Sequence, residues 1–309
     1  MDTQNTHSPI NSTIAPADLL DGLMSVAGTG SSKLRSDLAV PLAPPTSPRV
    51  VLGQLADETP DVMTLHTRDA YRMFVGRPSD EATQASTIVG GRKFAAVLKS
   101  LWHLSANDNP YADWVLIHVY QNLVEIRARM GEVIETREAQ FERLRRRGLN
   151  LSVLGSRSPL SVALGFRSPY GYATAEAIVE FDYHVRMVKT LVMKDRLSDD
   201  DGRAAIREMG RALRGLFLAP IRWERVLFRE EMLPLSRRDY LPGADDAARL
   251  RVRAALALFG EVPRKVFTGE EAPRHSQRRV LLTAAELRLL QQVSLSLGEL
   301  PEQPAGELL

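Results

Sequence analysis

Side chains able to do covalent or metal chemistry are few and scattered. The six histidines (His7, His66, His103, His118, His184 and His275) show no ligand spacing such as HExxH. There are no cysteines, which excludes disulfides, thiolate metal sites and cysteine nucleophiles. Gly90, Gly91, Arg92 and Lys93 have the composition of a phosphate loop but lack the Walker spacing and its Ser/Thr. No GxSxG elbow is present. Asp182 and His184 stand two apart on an expected helix, so they leave on different faces and make a poor catalytic dyad. Ser198, Asp199, Asp200 and Asp201 have calcium-ligand composition without the EF-hand spacing, and read as a helix cap and first turn. No enzyme, cofactor or metal is expected.

The remaining chemistry is hydrogen bonding and charge. Val62, Thr64 and His66 alternate with Met63 and Leu65, which places the two sets on opposite faces of a short strand. Thr67 can cap a following helix, with Asp69 in its first turn, and Ala70, Met73 and Phe74 recur at helical spacing until Gly76. After a polar loop, Ser86 or Thr87 can cap a second helix through Ile88, Phe94, Val97, Leu98 and Leu101. A lone strand needs a partner for its backbone. The economical partner is the same strand of a second subunit, the logic of a ribbon-helix-helix dimer whose two-stranded ribbon enters a DNA major groove.

In such a dimer Met63 and Leu65 face the core, and Val62, Thr64 and His66 face base edges. Thr64 and His66 can hydrogen-bond there, and Val62 can touch a thymine methyl. Backbone N–H groups over 87–91, from Thr87 to Gly90 and Gly91, would hold phosphate together with Arg92 and Lys93; Arg68 and Arg72 are further phosphate candidates. The bland alternative for each polar strand residue is a solvated outer face. Residues 61–103 hold six Lys/Arg against four Asp/Glu, so only the fold could focus the charge.

The chain around this segment has 309 residues and a net charge of +2 from 40 basic and 38 acidic residues. That balance is a weak electrostatic signal for a nucleic-acid binder. No apolar run is long enough to cross a bilayer, and no basic start with an apolar core opens the sequence, so a cytoplasmic protein without membrane contact is expected. Residues 1–33 read as a mobile arm with a short amphipathic stretch at 16–26. Residues 34–60 read as a basic lead-in and a Pro-rich linker, PLAPPTSP, before a weak strand at 50–55.

Beyond 61–104, a helical body is expected over 105–300. Asn109 and Pro110 open a helix of about 55 Å to Arg147. Its seam is Leu116, Val119, Leu123, Ile126, Met130 and Val133. Such a spine packs on its own chain or pairs with another subunit. The segments 149–154 and 160–166 flank a turn signal and read as a β-hairpin over 149–166. An irregular aromatic entry at 168–172 precedes a helix over 173–194, and another helix runs over 204–217 until Pro220 stops it. A helix over 245–259, a basic loop RHSQRR at 274–279, a helix opened by the Thr283/Glu286 capping box and a tail from 301 complete the chain.

Four motifs taken in order, LHTRDAYRMFVGR, NPYADWVLI, FRSPYGYATAEAIVEFDYHVR and GRALRGLFLAP, resemble a family of integrating conjugative element proteins related to the AcaB-type conjugation transcriptional regulators. The likeness runs over about 34–265. It implies a DNA-binding regulator of double-stranded DNA, mainly α with small β (α+β), with a ribbon-helix-helix-like core plus long helices. Mapped onto this chain, the ribbon falls on 62–66, the first helix on 68–75 and the second on 88–101, and the strand-partner logic above makes a homodimer the expectation. The alternative is an accessory protein that docks another component of the transfer machinery through the long helix and residues 170–219.

Overall fold

A computed structural model describes residues 59–78 and 87–295. All described residues belong to one compact unit. The expected arm, basic lead-in, linker, weak strand at 50–55, Ser86 cap and C-terminal tail lie outside the described residues.

Strand β1 (Val62–Leu65) leads directly into α1 (Arg68–Val75). Then follow α2 (Gly91–Ala106), α3 (Pro110–Arg146), β2 (Leu160–Ala163), α4 (Pro169–Met193) and α5 (Asp199–Leu227). A 3-10 turn (Arg237–Tyr240) precedes α6 (Asp246–Phe259), α7 (Arg264–Thr268) and α8 (Ala284–Gln292). The protein is therefore mainly helical with one small antiparallel sheet among the described residues.

The core lies among α2, α3, α4 and α5, each packed on the other three. The spine α3 packs on its own chain: Leu116, Val119, Leu123 and Met130 of the expected seam are buried, while Ile126 and Val133 are half-buried. Asn109 caps it as its position before Pro110 requires, its side chain accepting from the N–H groups of Tyr111 and Ala112 at 3.0 Å each. α1 lies on α4 and α2, burying Ala70, Met73 and Phe74. Arg237, fully buried, joins the C-terminal elements to the α2–α3 turn. It bridges Asp108 (2.6 Å) and Asp113 (2.7 Å) and donates to the carbonyls of Val266 and Phe267. These partners offset much of the cost of burying its charge.

Four expectations need correction. The hairpin over 149–166 does not form. Leu154 N–H donates to Thr190 Oγ1 (2.9 Å) and the Leu154 carbonyl accepts from Arg186 Nε (2.7 Å), so the backbone of Leu154 is satisfied along α4. The released strand, β2, pairs instead with β1 in the register Val62↔Ala163, Met63↔Val162, Thr64↔Ser161, Leu65↔Leu160. β1 thus has a strand partner within its own chain.

The aromatic entry at 168–172 is the first turn of α4, capped by Ser168 with Pro169 at its first position, the same signal that opens α3. Gly171 lets Phe166 lie against that turn, because a Cβ there would overlap the Phe166 ring. Pro220 does not end α5 but sits inside it, buried, and the helix continues to Leu227. A proline removes one helical hydrogen bond; packing of both flanking turns on the core holds the helix through it. The second helix begins at Gly91 rather than Ile88 and ends at Ala106 rather than Leu101.

Candidate nucleic-acid interface

The strand alternation is realised as expected: Met63 and Leu65 are buried, and Val62 and Thr64 are exposed. Residues directly opposite in an antiparallel pair share a face, so Ser161 and Ala163 join Val62 and Thr64 on the outer side of the ribbon. That face is uncharged and small, with Val62 53% exposed. The ribbon is tied at its start by Leu164, whose N–H donates to the Asp61 carbonyl (2.7 Å), and by Tyr172, whose hydroxyl donates to Asp61 Oδ2 (2.5 Å).

The junction between β1 and α1 is fixed by one buried side chain of α4. Asp182 Oδ1 accepts from His66 N–H (3.1 Å), Thr67 N–H (2.7 Å) and the Thr67 hydroxyl (2.8 Å). Thr67 Oγ1 in turn accepts from Ala70 N–H at 3.2 Å, as an N-cap does. A carboxylate at a helix start also meets the positive end of its dipole. Nothing in the spacing of the sequence marks Asp182 for this task; it depends on two segments 115 residues apart meeting.

His66 stands just past the end of β1, half-buried, and its Nδ1 accepts from Ser156 N–H at 3.1 Å. This requires the proton on Nε2 in the neutral ring. Its side chain therefore links the strand to the 151–156 segment, apart from the row formed by Val62 and Thr64. Arg68 and Arg72 are exposed on the face of α1 opposite its buried residues, and Asp69 beside them pairs with Lys189 at 2.6 Å.

At the start of α2 the cap is Gly90, with no side-chain hydrogen bond; Thr87 is exposed in the loop before it. The N–H of Ile88 is taken by the Arg77 carbonyl (2.8 Å), and the Ile88 carbonyl accepts from Arg77 N–H (2.9 Å). This bridge closes the ends of the intervening loop. Gly76, with φ 71°, packs its backbone on that of Gly90, so a Cβ on either would run into the other's main chain. Of the N–H groups expected to meet phosphate, those at the helix start remain without a side-chain cap. Arg92 lies over the Phe74 ring, 5.4 Å from its centroid, and Lys93 pairs with Glu224 at 3.6 Å; both cations are exposed. The structure thus gathers Arg92 and Lys93 at one helix start, next to the end of α1, while Val62 and Thr64 lie on the ribbon.

The basic loop at 274–279 is used internally. Arg279 N–H donates to the Ala106 carbonyl (2.8 Å), the Trp102 indole N–H donates to the His275 carbonyl, and Arg278 pairs with Asp113 at 3.0 Å. Among the described residues no cluster of histidines and carboxylates could hold a metal ion. No described helix is long and apolar enough to cross a membrane.

β1 of the two-stranded ribbon, with its small uncharged outer face, thus precedes two helices that carry exposed cations, Arg68 and Arg72 on α1 and Arg92 and Lys93 on α2. The family model described as "Transcriptional regulator AcaB" matches residues 51–279, and the chain belongs to that family. No curated protein matches. Among solved structures, the crystal structure of selenomethionine-containing AcaB from uropathogenic E. coli is similar at 16% identity and a TM-score of 0.41, over 76% of this chain and 96% of that one.

Proposed function

We propose that this protein is a sequence-specific, double-stranded-DNA-binding transcription regulator of an integrating conjugative element, acting as a homodimer. Membership of the regulator family sets the class. The observation that carries the reading surface is the β1–β2 register, which supports an intrachain ribbon with Val62, Thr64, Ser161 and Ala163 outward. A two-stranded ribbon fits the major groove, where hydroxyls read either donors or acceptors and small apolar groups meet thymine methyls. Each chain of the dimer would bring its own ribbon to one half-site. In this reading His66 positions the ribbon instead of touching bases. Arg92 and Lys93, with the uncapped amides of α2 and with Arg68 and Arg72 on α1, hold phosphate.

The test is a pair of titrations on the full chain, one with a duplex selected from a random pool by the protein itself and one with its scrambled version. Thr64→Ala and Ser161→Ala should each reduce the preference for the selected duplex by about 1–3 kcal/mol, with non-specific binding nearly unchanged. Arg92→Ala and Lys93→Ala should weaken both duplexes equally. Sedimentation of the full chain should give twice the chain mass. A wild-type protein that selects no sequence from the pool would overturn this reading.

A further inference from the structure

Helix α5 carries a row of arginines that the ribbon and α2 do not account for. Between residues 203 and 225 it has six arginines and two glutamates. Arg203 is paired with Asp200 (2.7 Å), and Arg222 donates to the Leu258 carbonyl (3.0 Å). Arg207, Arg211, Arg214 and Arg225 are exposed, and none forms an ion pair among the described residues. Of the two glutamates, Glu224 is turned to Lys93. At about 100° per residue, the four free arginines fall on one side of the helix, roughly 100–160° from its buried centre at Leu213. Phe217 and Gly210 lie on that same side. Phe217 packs against Phe94 with the rings tilted and their centroids 4.7 Å apart, and a Cβ at Gly210 would sit 3.6 Å from Met73 Cε. The row therefore runs beside α1 and the start of α2, where Arg92 and Lys93 stand.

We propose that this arginine row is a second DNA-backbone contact, continuing the phosphate-holding surface of α2 along α5. It rests on the reading of the protein as a DNA-binding regulator. Four exposed cations along one side of a helix repel one another and concentrate positive potential, which a polyanion meeting them would neutralise. Guanidinium groups suit phosphate because they bond it in a two-pronged geometry. From Arg207 to Arg225 the row spans about 27 Å at 1.5 Å per residue. This exceeds the roughly 12 Å width of a major groove, so it reaches phosphates of both strands. Such contacts add affinity and orientation without reading sequence.

The experiment is a salt titration of the full chain on a 30-base-pair random duplex and on the selected duplex. The test variant combines Arg207→Gln, Arg211→Gln, Arg214→Gln and Arg225→Gln. A charge-matched control combines Arg143→Gln, Arg145→Gln, Arg146→Gln and Arg147→Gln at the far end of α3. Each lost phosphate contact flattens the log–log salt dependence by about 0.9, so the test variant should lose about 3.6 and weaken both duplexes by the same factor. The control should retain the parent slope, and melting temperatures should show both variants folded. An unchanged slope in the test variant, as expected if the row docks an acidic protein instead, overturns the inference while the regulator reading stands. An equal loss in the control also overturns it, because net charge would then be responsible. A parent chain that binds neither duplex overturns both.

Discussion

Asp182 should be the residue whose loss most damages the ribbon without touching its surface. Its Oδ1 serves three donors, two of them main-chain N–H groups at the entry to α1. Asp182→Ala removes the shared acceptor of all three donors from a site where the carboxyl-bearing residue is 2% exposed. A buried donor left unpaired costs about 1–3 kcal/mol. His66 and Thr67 are only half-buried, so water recovers part of this, and the Thr67 hydroxyl can turn elsewhere. The expected net loss is about 2–4 kcal/mol. Asp182→Asn keeps a carbonyl oxygen for the same donors but without the charge that roughly doubles such bonds, so it should lose about half as much. The assay is urea unfolding of the full chain, followed by titration of the selected duplex under conditions where each variant is folded. Asp182→Ala should also lower specific binding more than random binding, since β1 and α1 lose their common anchor. A stability loss below about 0.5 kcal/mol for Asp182→Ala, the least expected from losing even one net hydrogen bond, refutes the reasoning. So does a loss as large in Asp182→Asn.

Leu123→Ala, at a site 2% exposed in the centre of α3, should cost about 2–5 kcal/mol in the same unfolding assay; a much smaller value would mean that the seam does not carry the packing. Gly90→Ala should cost about 1–3 kcal/mol by forcing a Cβ into the Gly76 backbone; Gly131→Ala, where a Cβ meets open space, should not destabilise and serves as its control. For His184 the expectation concerns pH. Burial lowers its pKa from the ordinary value, reinforced by Arg137 and opposed by the Ala205 backbone and Glu208. The unfolded state then binds more protons, so stability present above the unfolded pKa is lost as pH falls from about 6.5 toward the folded value. His184→Asn should flatten that part of a stability–pH curve, and an unchanged slope would place the effect elsewhere.

Much of this arrangement is legible in residue order. The 68–75 helix, the long helix after Asn109 and the last helix after Thr283 follow from local signals: a capping side chain, a proline at the first turn, and apolar residues at three-four spacing. The outward and inward faces of β1 follow as directly, because a strand's period of two is a property of the backbone. Errors cluster where a local signal was real but outvoted. Pro220 disrupts one hydrogen bond, yet α5 persists because its buried face continues on both sides. The turn GSRSP does separate two extended segments, yet Leu154 finds Thr190 and Arg186 before it finds a strand.

By itself, the sequence determined most of the helices, the spine, the absence of cysteine chemistry and the two faces of the first strand, all set by neighbours within a few residues. Only the tertiary structure decided what β1 pairs with, which side chain anchors it and where Arg92 and Lys93 stand. A strand's partner is fixed by competition among all exposed backbone groups in the chain. Here α4 claims the 149–154 segment, which leaves Leu160–Ala163 for β1 and places Asp182 beneath Thr67.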